Sequence, residues 1–275
     1  RAVQTRIIDW SAAYPDQRFT PVTNTSLIDY NGAELPIRNL QVTAAGAAGL
    51  FGTVVSMEEY PVGLRNIRLI NPAIDGGTSP TGALAGYAED CNIDNCLVTM
   101  DFTPGDAAAP PDVYVTGKQY VGGLVGHGKN LEITASAAGL PSLSGTGGAV
   151  GGLVGYLEGT FSLEDSYASI DQLSGTPNTA AMLIGSLNGT SGHITHCYAV
   201  GNISVDSGEV SGFVGGDCAR WYFQDSYCAV TYRDPAGDPL NRSVYGFAQN
   251  ANQWYCAYLT PDTQTTVLEN SGGGP

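Results

Sequence analysis

The sequence predicts an all-β chain wound as a right-handed, single-stranded parallel β-helix of about seven to eight coils. Three observations predict it. The hexapeptide VGGLVG stands at Val121–Gly126 and again at Val150–Gly155. Looser copies put one large apolar residue at Leu50, Leu84, Leu124, Leu153, Leu183, Phe213 and Phe247, in steps of 34, 40, 29, 30, 30 and 34 residues. A second element runs in step with the first: a four-residue stretch that is apolar on alternate positions and opens on Asn, Asp, His or Gln. Finally, a period near 30 residues with strands of four or five leaves no room for a crossover helix of a dozen residues, so each repeat is one coil whose strands stack at about 4.8 Å.

The copies of the second element are Asn39–Val42, Asn66–Leu69, Asn95–Val98, Asn130–Ile133, Asp165–Ala168, His196–Ala199, Asp225–Cys228 and Gln253–Cys256. Alternation with a period of two means strand. Arg68 and Glu132 occupy the third position, and a charge does not enter a narrow apolar core unpaired. Position three therefore faces outward and positions two and four face inward. Position one is read as a corner ladder, because Asn and Asp tolerate bends that other residues avoid. The glycines of GLVG are expected where coils press close.

Variation in length concentrates between the Asn element and the next Gly motif. The Pro-rich loops there, Gly105–Asp112 and Arg233–Arg242, are expected to project from one edge of the stack. Residues 1–36 fit the repeat poorly and read as a cap, 37–262 as the β-helix, and 263–275 as a tail or linker. The opening at Arg1 and the closing NSGGGP read as a processed chain or a piece of a larger one.

Composition narrows the function. Charged residues are 13%, net charge is −15, and the only lysines are Lys118 and Lys129, which argues against nucleic acid and anionic membrane surfaces. No apolar run approaches the ~20 residues that cross a bilayer. Six scattered cysteines without a CxxC pair, and three histidines outside ligand spacing, give no metal site and no cofactor motif. Cys228 and Cys256 are read as sharing an inward slot on adjacent coils. A disulfide there would be strained by parallel Cβ vectors, which favours buried thiols.

These residues resemble the GLUG repeat. GLVG at Gly123–Gly126 and Gly152–Gly155 matches its core, GLFG at Gly49–Gly52 and GFVG at Gly212–Gly215 match closely, and HCYAVG at His196–Gly201 is similar to its following segment. Ala83–Gly86, Met182–Gly185 and Gly246–Gln249 depart from it. The resemblance spans about residues 28 to 260. It implies an extracellular or cell-surface bacterial protein, adhesin-like or the non-catalytic portion of a surface protease, and it implies no catalytic residues.

The expected function is accordingly non-catalytic adhesion or ligand presentation, with a host or neighbouring-cell protein or glycan as partner and no membrane insertion. Tyr167, Tyr198, Tyr227 and Tyr255 form an outward column suited to sugar rings or a protein surface, although stacked tyrosines also stabilise a sheet. Asp106, Asp112, Asp234 and Asp238 give the long loops an acidic character that favours basic or hydroxyl-rich partners. The competing readings are a structural stalk, the recognition part of a larger protease, and a glycan-cleaving enzyme. The last would use the corner trio Asp165, His196 and Asp225, expected as a column on three successive coils, with Asp165 and Asp225 two coil spacings apart at roughly 9–10 Å. A corner ladder made for backbone reasons accounts for all eight positions, whereas catalysis accounts for three.

Overall fold

The computed structural model describes residues 1–14, 17–23, 29–57, 60–101, 112–238, 240, 244–259 and 267–268. The chain is an all-β parallel solenoid of about eight turns, as the periodicity requires. Among the described residues a single short helix, Trp10–Ala13, is capped by the Asp9 side chain. The coils build three parallel sheets, here sheets I, II and III; the first coils contribute strands to I and II, and sheet III begins at Thr81–Gly82. In one central coil, Tyr120–Gly122 lies in sheet III, Val125–Thr134 in sheet I and Ala137–Gly145 in sheet II, after which Ala149–Gly151 starts the next coil in sheet III.

The Gly motif is the corner between sheets III and I. None of Gly122, Gly123, Gly126, Gly151, Gly152 and Gly155 has a positive φ, so their need for glycine is proximity, not dihedral freedom. A Cβ on Gly122 would strike the carbonyl of Val125, and one on Gly152 would strike the carbonyl of Met182 in the next coil. The large apolar residue beside these glycines points inward. Leu50, Leu84, Leu124, Leu153, Leu183, Phe213 and Phe247 are all buried, and Phe213 stacks on Phe247 with ring centroids 4.4 Å apart.

The corner between sheets I and II is a row of left-handed residues: Glu34, Asn66, Asn95, Ala135, Asp165, His196, Asp225 and Tyr255. Strand register fixes the row, since Arg68 pairs Pro36, Leu97 pairs Arg68 and Ala137, Ala137 pairs Tyr167, and Tyr227 pairs Ala257. Three of the expected positions are thereby corrected. Asn39 is left-handed but stands opposite Asn71, one bend further on. Asn130 lies before the corner, opposite Asp90, and Ala135 takes its slot. Gln253 gives way to Tyr255. The segments at Asn39 and Asn130 keep their alternation, with Leu40, Val42, Leu131 and Ile133 buried, so periodicity by itself could not detect the shift there.

Inside the corner, position two carries Cys96, Ser136, Ser166, Cys197 and Ser226, all buried. These side chains do more than fill space. Ser136, Ser166 and Ser226 each donate to the carbonyl two residues before, at 2.8, 2.7 and 2.9 Å. Ser166 and Ser226 also accept the N–H of Ser136 and Cys197 in the preceding coil, both at 3.1 Å. Cys96 and Cys197 direct Sγ to the corresponding carbonyls at 3.4 and 3.2 Å. The thiols are thus weak donors in a slot made for a hydroxyl, which a reading of cysteine as a small apolar residue does not capture. Cys228 and Cys256 do not share a slot: Cys228 pairs with Tyr258, and Cys256 follows Ser226.

Strand pairing already begins within residues 1–36, where Ala2–Val3 pairs Tyr30–Asn31 and Ile8–Asp9 pairs Ile37–Arg38. Ile8, Trp10, Phe19 and Tyr30 of this segment pack, partly buried, against the core.

Candidate functional site

Outward position three of sheet II carries Tyr167, Tyr198 and Tyr227 in register. In-register parallel strands set like residues one above another, and the rings stack accordingly. Centroids are 4.6 and 5.3 Å apart, with interplanar angles of 4° and 8°. Burial raises the hydroxyl pKa of Tyr198, the middle ring, with the two neighbouring tyrosines adding to the effect. The column ends there. Tyr255 belongs to the corner row and is 86% exposed, while Ala257 follows Tyr227 in the sheet.

Two residues before these tyrosines stand Asp165, His196 and Asp225. The three do form a column. His196 lies between the carboxylates, with Nδ1 3.5 Å from Asp165 and Nε2 3.6 Å from Asp225. On the sheet I side of the same corner, Glu164 and Ser162 approach His193 Nε2 at 2.8 and 3.1 Å. This hydrogen bond holds the Glu164 carboxyl below its usual range. Serine and carboxylate meet the same ring nitrogen, so the group lacks the two-sided relay of a Ser–His–acid triad.

The acidic loop residues do not gather at one edge. Asp106 lies outside the described residues. Asp112 is exposed at the start of Tyr114–Gly117, a strand that pairs inside sheet II, so the first loop leaves the middle of that sheet. Asp234 and Asp238 sit further along the stack, at the end of Tyr227–Arg233. There, four coil steps from Tyr114–Gly117, Asp234 organises its own turn, Oδ1 accepting the N–H of Asp238 at 2.9 Å. The two loops leave different points of the coil, because Tyr114–Gly117 is claimed by its ladder partners on both sides.

Sheet I carries a second aromatic group that the sequence reading passed over. Tyr87, His127 and Tyr156 are in register. The His127 ring lies 4.9 Å from Tyr87, 5.0 Å from Tyr156 and 5.2 Å from Tyr120. Burial, opposed by Glu158, lowers the His127 pKa. Below this group Lys129 bonds Glu89 at 2.6 Å. The signal was available: Tyr87, His127 and Tyr156 each directly follow the last Gly of a motif copy.

Further along sheet I, a groove of about 840 Å³ crosses the strands, lined by Tyr60, Asn92, Glu132, Ser162, His193 and Tyr222 among others. Among the described residues no group of three His, Cys, Asp or Glu side chains could hold a metal ion, and no helix is long and apolar enough to cross a membrane.

Comparison with known proteins agrees with this architecture. No curated protein matches the sequence significantly. The solved structure of a "putative immunoglobulin A1 protease" from Bacteroides ovatus superposes with a TM-score of 0.65 at 15% identity, over 94% of this chain and 77% of that one. At that identity the likeness is one of fold. The GLUG motif is matched at residues 146–171, which run from the turn before the sheet III strand Ala149–Gly151, through the III–I corner and sheet I, to the sheet II strand that carries Tyr167. The chain is thus a parallel β-solenoid that carries the GLUG motif.

Proposed function

We propose that this solenoid is a non-catalytic adhesion or ligand-presenting module of an extracellular bacterial surface protein. The observation that carries the reading is the Tyr167–Tyr198–Tyr227 stack. It is a flat, half-exposed aromatic surface beside the acidic corner of Asp165 and Asp225, held by a rigid sheet. Such a surface suits a protein or glycan partner and loses little entropy on binding. The fold shared with the Bacteroides ovatus protein, and the GLUG motif, support a surface-protein setting.

Attachment tests this reading. The purified chain is applied to host-protein and glycan arrays beside a Tyr167→Ala/Tyr198→Ala variant. Ligand capture that weakens at least tenfold in the variant supports the proposal. Capture indifferent to both changes moves the partner surface elsewhere, and no capture at all favours a structural stalk.

The enzymatic reading is disfavoured by one contact. Inverting glycan cleavage needs room for a water and the scissile bond between two carboxylates. Between Asp165 and Asp225 that room is filled by the His196 ring. Cleavage of any polysaccharide in a broad panel, abolished in both Asp165→Asn and Asp225→Asn, would reverse this.

A further inference from the structure

Sheet I is bent across its middle. Asp90, Asn130 and Gly159 take φ of 51°, 52° and 77°. The strand register shifts between Lys129 and Leu131, and again between Gly159 and Thr160. The bend is tied along the stack: Asn130 Nδ2 donates to Asp90 Oδ1 at 2.9 Å, and Thr160 N donates to Asn130 Oδ1 at 3.0 Å. One side chain per coil projects beside it. Asn92, Glu132, Ser162, His193 and Tyr222 are register partners on successive coils, and the row starts beside Tyr60. From Tyr60 to Tyr222 the groove crosses five coil spacings, about 24 Å.

We propose that this groove is a binding site for an extended neutral oligosaccharide. The two ends carry tyrosines that folding does not bury, Tyr60 at 72% and Tyr222 at 63% exposure. An exposed ring at each end of a polar trough offers the apolar face on which a sugar ring packs. Between them the row offers an amide, a carboxylate, a hydroxyl and an imidazole, a mixture of donors and acceptors that suits hydroxyl groups. The floor is apolar and closely built. Phe161 lies under Gly192, where an added Cβ would meet Phe161 Cδ1 at 2.6 Å. Asp90 and Glu132 line the groove, and among the described residues no Lys or Arg does, so uronates and sulfated chains are repelled.

An extended peptide fits less well. The strands under the groove are paired on both sides, so a peptide lying across them finds no ladder edge to join. The site lies on sheet I, apart from the tyrosine stack of sheet II, and stands whether or not that stack serves attachment.

The experiment is calorimetric titration of the full chain with neutral oligosaccharides, first screened on a broad glycan array and then graded by length. Affinity should rise with length and level off once the groove is filled. Tyr60→Ala and Tyr222→Ala, both at exposed positions, should each weaken binding roughly tenfold with an unchanged thermal midpoint. Glu132→Lys should admit uronate oligosaccharides that the parent chain refuses. Tyr167→Ala/Tyr198→Ala should bind the same sugars as the parent, which separates this site from the attachment surface. An array without a single neutral ligand overturns the proposal. So does binding that ignores all three groove substitutions, or extended peptides that bind there more tightly than any sugar.

Discussion

Leu153→Ala tests the architecture at its centre. Leu153 is fully buried, between Leu124 and Leu183 on the neighbouring coils. Its N–H donates to Leu183 O at 2.9 Å, and its carbonyl accepts from Leu124 N at 2.9 Å. Truncation leaves those backbone bonds in place, so the loss reports packing. Three carbon groups at about 0.8 kcal/mol each account for about 2.4 kcal/mol of transfer energy. The cavity adds to this, because ladders on all three sheets hold the coils at fixed spacing and prevent collapse. The expected cost therefore falls in the upper part of the 2–5 kcal/mol range for such truncations. Equilibrium unfolding in urea measures it, with Leu153→Met as a volume-conserving control that should cost less than about 1.5 kcal/mol. A cost below about 1 kcal/mol for the alanine variant, or equal costs for the two variants, would refute the buried column.

Other expectations follow from particular contacts. Ala135 holds φ of 48° in the slot that Asn95 and Asp165 fill elsewhere, so Ala135→Asn should raise unfolding free energy by up to about 1 kcal/mol in the same urea assay. Burial pushes the thiols of Cys96 and Cys197 up to about 12 and also raises those of Cys91, Cys218 and Cys228. Those five thiols should therefore resist a disulfide reagent at pH 8 until denaturant is added. The folded chain lowers the His127 pKa, chiefly through burial. The unfolded chain thus takes up a proton that the folded chain resists, and stability should fall as pH drops through about 6.5. His127→Gln should flatten that part of a stability–pH profile, and an unchanged slope would contradict the assigned burial.

Legibility differed between the two elements for a physical reason. The Gly motif was placed in all seven coils because two constraints coincide there: a coil-to-coil approach that excludes Cβ and an inward apolar residue. The corner element carries only one, a left-handed backbone. That conformation is met by Asn and Asp but also by Glu34, Ala135 and Tyr255. Where the corner residue is atypical, a neighbouring Asn at the right alternation captures the alignment, as Asn130 did. The stacked tyrosines inherit the same dependence. Tyr167, Tyr198 and Tyr227 were placed by true corners, and Tyr255 was misplaced by a false one.

By itself the sequence determined the all-β class, the parallel winding, the inward column and the outward face of Tyr167, Tyr198 and Tyr227. All of these repeat with the coil, and repetition multiplies a weak local signal. Tertiary structure alone decided what does not repeat. The division of the coils among three sheets depends on where ladders form, and the choice of Ala135 over Asn130 for the corner depends on register across about 30 residues. The groove between Tyr60 and Tyr222 arises from a bend that shifts register by single residues, and its lining comes from six coils. A surface assembled from one residue per coil leaves no local pattern in the chain, because its members become neighbours only when the coils stack.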